Sequence, residues 1–367
     1  MKSLDRIHRR GAREDAIDRA LATTAEGSTR LRSRPRPDTS EPPSSPSRQG
    51  KLVLAAKSPP RGHATSGSTL SVGQIDEAAV QSFWNAHPCG DHIVGGLHGA
   101  FGDEYERFFA AYDAWRYQQE GHIPACLDRT DWRGRKVLEI GLGQGADSEQ
   151  LIRRGALWSG LDLTQESVDR VRARLAVRNL PYDDLRRGSA LAIPWPDQTF
   201  DIVFSHGVLH HIPDIRRTQS EIHRVLKPGG TLIAMLYARG SLNYQVSIRL
   251  VRRAALLAAY PLRRASIVRS SALLQQHLSN AATIGLRRYL NLKEFTHRST
   301  DGPSNPYARV YSLREVARDF PDFVIVDAYK RYMHAPPLPV HGLPGAERLG
   351  WHLWVTLEAR RAEDSAG

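Results

Sequence analysis

What this chain has little of narrows its chemistry before any motif is read. Among 367 residues there are two cysteines, Cys89 and Cys126. Two thiols can build neither a disulfide framework nor a four-ligand metal site, and their scarcity fits a reducing compartment. No His, Cys or carboxylate cluster has metal-ligand spacing. No run of 18 apolar residues occurs, so no segment reads as a membrane span. The N-terminus, MKSLDRIHRRGARED, has no apolar stretch behind its charges. It carries Asp5, Glu14 and Asp15, with Asp18 just beyond, which argues against a secretory or organellar leader and makes the cytoplasm the expected address. Acidic residues are scarce in two places. Residues 238–300 hold one, Glu294, against eleven Lys and Arg, and residues 1–70 hold seven against fourteen. Of the net +12, these segments carry +10 and +7, which leaves −5 for the rest. That argues against a uniformly basic nucleic-acid binder and for a slightly acidic core with a basic tail and a basic insert.

Composition divides the chain. Residues 1–70 are rich in Pro, Ser and Arg and poor in large apolar side chains, so a disordered basic tail is expected. Residues 71–130 read as a helical N-terminal cap. IDEAAVQSFWNAHPCG predicts a helix ending near Pro88, and EYERFFAAYDAWRYQQEG a second, with Phe108, Phe109, Tyr112 and Trp115 on one stripe and Gly121 ending it. Residues 131–237 alternate short buried strands (KVLEIGLG, LWSGLDL, FDIVFSHGV, TLIAMLY) with helices. One helix is opened by Thr164, and another, DIRRTQSEIHRVLKPGG, is stopped by Pro228 and Gly229. This is the pattern of a parallel sheet covered on both faces. A basic helical insert occupies 238–312. In 313–361, FVIVDAYKRY and WHLWVTLEAR complete the sheet as an antiparallel pair, joined by a proline-rich loop without a helix.

The sharpest chemistry lies in Val137-Leu138-Glu139-Ile140-Gly141-Leu142-Gly143-Gln144-Gly145-Ala146. A buried strand enters a glycine turn that lets a ligand approach the main chain, then a helix start with free N–H groups. Asp162 ends the next strand about 20 residues on, where a carboxylate suits the two hydroxyls of a ribose. Gly141-x-Gly143-x-x-Ala146 also fits a dinucleotide fingerprint, so an NAD(P) oxidoreductase is the rival reading, and a purely architectural glycine turn is a third. Glu139 argues against the rival, because a dinucleotide fold keeps that strand position apolar.

VLEIGLGQG, GLDLTQESV, RRGSALAIPWPDQTFDIVFSHGVLHHIPD and EIHRVLKPGGTLIAMLY stand in the order seen in class I S-adenosylmethionine-dependent methyltransferases. The chain resembles the branch that includes ubiquinone/menaquinone-biosynthesis-like and small-molecule enzymes, closely over 131–237. The resemblance implies a Rossmann-like α/β fold whose seven-stranded mixed sheet has its last strand antiparallel, with S-adenosyl-L-methionine as cofactor. It implies that Glu139, Gly141, Gly143 and Gly145 line the methionine end, that Asp162 binds the ribose, that Leu163 lies against the adenine, and that Ser189 and Ala190 meet the adenine edge. Ser189 stands where the family usually has Asp, a weaker acceptor for the adenine amino group.

The same resemblance puts the reacting methyl near Ser205-His206-Gly207. His206, His210 and His211 are the candidate bases, since imidazole titrates near working pH; the alternative is that they cap and pack the next helix. The fifth strand ends Met235-Leu236-Tyr237, so the carboxylate that orients such a histidine in some relatives is missing there, and Tyr237 is left to position an acceptor. Pro88-Cys89 precedes the glycine loop and reads as structural rather than as a nucleophile. In the insert, Arg249, Arg252, Arg253, Arg263, Arg264 and Arg269 accompany Leu250, Leu256, Leu257, Ile267 and Val268. This predicts an acceptor lid with a solvated Arg face, a clamp for an anionic or lipid-linked acceptor, or a surface that meets an anionic membrane. Nucleic acid fits less well, because no stacking aromatics are interleaved with the arginines. The expected activity is methyl transfer to a small-molecule acceptor. The alternatives are the oxidoreductase and a non-catalytic cofactor-binding or RNA-associated protein.

Overall fold

The strand–helix alternation that begins at Lys136 builds one seven-stranded sheet. In the structure, a computed structural model, residues 76–88, 103–263 and 271–360 are described. The 1–70 tail, Cys89, Arg264, Ile267, Val268 and Arg269 lie outside them. Strands β1 (Lys136–Ile140), β2 (Leu157–Asp162), β3 (Asp184–Arg187), β4 (Phe200–His206) and β5 (Leu226–Tyr237) run parallel. With β6 (Phe323–Arg331) and β7 (His352–Ala359) the order is β3-β2-β1-β4-β5-β7-β6, and β7 is antiparallel to both its neighbours. The expected antiparallel last strand is therefore present. It is inserted between β5 and β6, so that Leu353, Val355 and Leu357 join the core.

Helices α1 (Glu77–Ala86), α2 (Asp103–Gln119) and α3 (Ile123–Leu127) precede β1; α4 (Ala146–Arg153), α5 (Gln165–Val177) and α6 (Ile215–Val225) connect the parallel strands. Thr164 caps α5 by accepting from the Ser167 N–H, as its sequence predicts. α6 ends earlier than expected. Leu226 is already extended and pairs with Phe200, and Lys227 to Gly230 form an irregular entry to β5 rather than a stop after the helix. The loop between β6 and β7 contains one helical turn, Ala346–Leu349, which the four prolines near it had concealed.

A buried ionic network fastens α2 to the core. Arg174 is 1% exposed and donates to Glu149 Oε2 (2.8 Å) and Asp113 Oδ2 (2.5 Å); Arg178 reaches the same two carboxylates. Each buried charge is thus paired. The insert folds as a wide π-type helical run, Asn243–Arg252, continued by α7 (Arg253–Ala259) and followed by α8 (Ala272–Ile284), α9 (Leu286–Tyr289) and α10 (Leu292–Thr300). Its own core of Tyr244, Ile248, Leu256, Leu278, Tyr289 and Phe295 packs against Tyr237 and Trp351. Arg252 does not belong to a solvated face: it is largely buried and donates to the carbonyls of Pro336 (2.7 Å) and Ser299 (2.5 Å). Burial pushes its guanidinium down to about 10.

Candidate active site

The glycine loop is held open by the carboxylate at the end of β2. Asp162 Oδ2 accepts from the Leu142 N–H at 2.7 Å, and Oδ1 accepts from both the N–H and the hydroxyl of Thr164 at 2.8 Å. Burial raises this carboxyl, while the same donors pull it down. Gly141 has φ +80°, and a Cβ there would lie 2.2 Å from Val208 Cγ2, so only glycine fits the turn. Above the loop is a cavity of about 250 Å³, bounded by the ends of β1, β2, β4 and β5 and covered by α1 and α2.

Of the residues singled out in the sequence, Gly141, Gly143, Asp162, Leu163, Ala190, His206, His211 and Tyr237 line this cavity. The other five sit behind its wall. Glu139 is buried with its carboxylate accepting from Trp158 Nε1 at 2.8 Å; burial, with the nearby Asp147 charge, raises it to about 8. Gly145 caps α4 and faces Val171 and Arg174. Ser205 donates to the Ile140 carbonyl (3.0 Å) and so ties β4 to β1. Ser189 donates to Glu77 Oε1 (2.5 Å) and accepts from the Leu191 N–H. His210 is wholly buried against the Tyr237 ring, 3.8 Å between centroids, and neither ring nitrogen bonds to a described residue. Burial drives its imidazole toward the neutral form.

The structure corrects one expectation: a histidine does have an orienting carboxylate. His206 Nδ1 lies 2.7 Å from Asp147 Oδ2, and the same oxygen lies 2.6 Å from Arg116 Nη2. Asp147 is the second residue of α4, not a residue after β5. Burial alone would raise its carboxyl, but Arg116 and His206 outweigh that and hold it far below the ordinary range. With Nδ1–H donated to Asp147, the lone pair falls on Nε2. That atom is buried and bonds to no described residue. Arg116 Nη2 is also 2.8 Å from Nδ1, and its proton then goes to the carboxylate.

Across the cavity, Tyr237 donates to Asp301 Oδ1 (2.7 Å), and His211 Nε2 lies 3.4 Å from Asp301 Oδ2 while its Nδ1 meets the Tyr307 carbonyl (2.8 Å). Trp84 of α1 packs edge-on to His211. His352, at the start of β7, also lines the cavity. Its Nδ1 is 3.1 Å from His122 Nε2, and burial keeps both rings neutral, His122 at about 3. Arg116, Asp147, Asp301, His352 and Glu77 were not legible as site residues. Arg116, Asp147, His352 and Glu77 belong to elements whose local pattern is explained by helix or strand formation, and Asp301 is the cap that follows α10.

Residues 138–234 match the family model described as a methyltransferase domain. Phthiotriol/phenolphthiotriol dimycocerosates methyltransferase 1 of Mycobacterium ulcerans is 35% identical over 143 residues, 34% of this chain and 52% of that protein. The phthiotriol/phenolphthiotriol dimycocerosates methyltransferase of Mycobacterium tuberculosis is 36% identical over 104 residues, 28% of this chain and 37% of that protein. A fatty-acid O-methyltransferase of Mycolicibacterium smegmatis is 35% identical over 104 residues, again 28% and 37%. The chain spans about a third to a half of the length of these relatives. Among solved structures, a SAM-dependent methyltransferase from Aquifex aeolicus aligns at 14% identity with a TM-score of 0.41, covering 67% of this chain and 93% of that one.

Proposed function

We propose that the protein, whose residues 138–234 match the methyltransferase-domain model, is a class I S-adenosylmethionine-dependent methyltransferase that methylates a hydroxyl group on a small, lipid-like acceptor. The observation that carries the choice of a hydroxyl is His206. A carboxylate acceptor needs no base, whereas a hydroxyl must lose its proton as the methyl arrives. His206 offers a buried Nε2 without a partner among the described residues, with Nδ1 fixed by Asp147. The names of the relatives, methyltransferases of phthiotriol and phenolphthiotriol dimycocerosates and of fatty acids, support a lipid-like acceptor.

The residues present fit the cofactor. Gly141 and Gly143 line the cavity with bare main chain, Asp162 is a buried carboxylate with lone pairs for ribose hydroxyls, and Leu163 and Ala190 form an apolar slot for the base. Arg116 supplies a cation for the methionine carboxylate. S-adenosylmethionine, when bound, brings the electrophilic methyl together with its own leaving group. The chain's own residues do the rest. Asp147 keeps His206 in the tautomer that accepts at Nε2. Tyr237, whose proton goes to Asp301, and Asp301 itself would meet the second substrate as acceptors, and Trp84 walls that side of the cavity.

The insert supports delivery of the acceptor from an anionic lipid surface. Leu250, Leu257, Leu262 and Leu273 are 55–61% exposed, and Arg249, Arg263, Arg287, Arg288 and Lys293 are exposed with them. Glu294 is the one acid between 238 and 300. Exposed leucine among cations suits a bilayer interface better than nucleic acid. No helix among the described residues is long and apolar enough to cross a membrane.

The test is transfer of labelled methyl from S-adenosylmethionine into a bacterial lipid extract. Label in an alkali-stable methyl ether is expected, and His206→Gln should slow it by roughly 10²–10⁴-fold. Label confined to alkali-labile methyl esters refutes the hydroxyl assignment, and a fully active His206→Gln refutes the base.

A further inference from the structure

Helix α1 lines the cavity, and its first residue carries a carboxylate with spare capacity. Glu77 is half-buried and lines the cavity together with Leu163, Gly188 and Ala190. Its Oε1 accepts the hydroxyl proton of Ser189 at 2.5 Å, while Oε2 bonds to no described residue. The Ser189 hydroxyl is committed on both counts, since it also accepts from the Leu191 N–H at 2.9 Å. Ser189 therefore has little left to offer a ligand, and Glu77 is the ionisable acceptor at that corner. The helix that bears it is pinned in place: Gln81 donates to the Leu163 carbonyl at 2.7 Å, and Asp76 caps the first turn by accepting from the Ala79 N–H.

We propose that Glu77 reads the exocyclic amino group of the cofactor's adenine and makes the site selective for adenine over a base with a carbonyl at that position. This rests on the cofactor reading above. An amino group donates and a carboxylate accepts, so the pair is a charge-assisted hydrogen bond. A carbonyl in its place sets an acceptor against an acceptor, and a site built to bond an N–H rejects such an analogue strongly. The same helix carries Trp84 to His211 two turns further on. Adenine bound at one end of α1 thus steadies the wall of the acceptor side at the other.

The experiment is calorimetric titration of the full chain with S-adenosylhomocysteine and with S-inosylhomocysteine. The wild type should prefer the adenine ligand at least tenfold. Glu77→Ala should bring that preference to within about twofold, and Glu77→Gln, whose amide can also donate, should admit the inosine ligand better than the wild type does. The ratio is internal to each variant, so a general loss of stability does not mimic it. Equal ratios in wild type and Glu77→Ala, or no preference in the wild type, overturn the inference. A wild type that binds neither ligand overturns the cofactor reading and this inference with it.

Discussion

Asp162 should be needed twice, for the fold of the glycine loop and for the cofactor, and the two needs can be separated. Its carboxylate accepts three hydrogen bonds, one from the Leu142 N–H and two from Thr164. Asp162→Ala strands the N–H groups of Leu142 and Thr164 in a buried setting. At about 1–3 kcal/mol for each unpaired group, the expected loss of stability is about 2–6 kcal/mol. Asp162→Asn keeps an oxygen for Thr164 but turns an NH₂ toward the Leu142 N–H, a single donor–donor conflict worth about 1–3 kcal/mol. In addition, either change removes the charged partner of the ribose hydroxyls, which should weaken S-adenosylhomocysteine by about 1–3 kcal/mol, or roughly five- to 150-fold. Urea denaturation without ligand measures the first effect and calorimetry the second. An Asn variant as stable as the wild type would show that Asp162 does not hold the loop. A destabilised variant with unchanged ligand affinity would remove it from the cofactor site.

Three further outcomes are expected. Gly141→Ala puts a Cβ 2.2 Å from Val208 Cγ2 at φ +80°, and should lower the melting temperature and weaken cofactor binding by roughly five- to thirtyfold, the effect of about 1–2 kcal/mol of strain; a variant with normal binding would mean that the loop relaxes freely. Glu139 is raised from 4.5 to about 8, so its contribution is full below pH 4.5 and is lost as pH rises to about 8. Denaturation midpoints at pH 5, 6.5 and 8 should show the wild type losing stability relative to Glu139→Gln across that window, and a constant difference would contradict the burial argument. Arg174→Met leaves Asp113 and Glu149 short of a buried cation and should cost about 3 kcal/mol by urea denaturation, with a negligible loss counting against the network.

Much of the architecture is local and therefore legible in the sequence. A buried strand, a glycine turn and a capped helix are contiguous, so their order, the cap at Thr164 and the 20-residue step from the loop to Asp162 can be counted along the chain. The end of α6 was misjudged because Pro228 and Gly229 look the same whether they stop a helix or open a strand with a bulge. Tertiary packing decided that Leu226 pairs with Phe200. The chemistry of the site depends on distances that no spacing encodes. Arg116 meets Asp147 across 31 positions, Tyr237 meets Asp301 across 64, and Ser189 meets Glu77 across 112. In the sequence each of these polar residues has a sufficient local reason to be there. Asp147 suits the first turn of a helix, where the dipole favours a carboxylate, and Glu77 suits the start of α1 in the same way. Hydrophobic periodicity records which face of an element is buried, not which element is packed against it. That is why the sequence by itself determined the glycine loop and the carboxylate that follows it, while the folded chain alone decided which carboxylate meets His206 and which one meets Ser189.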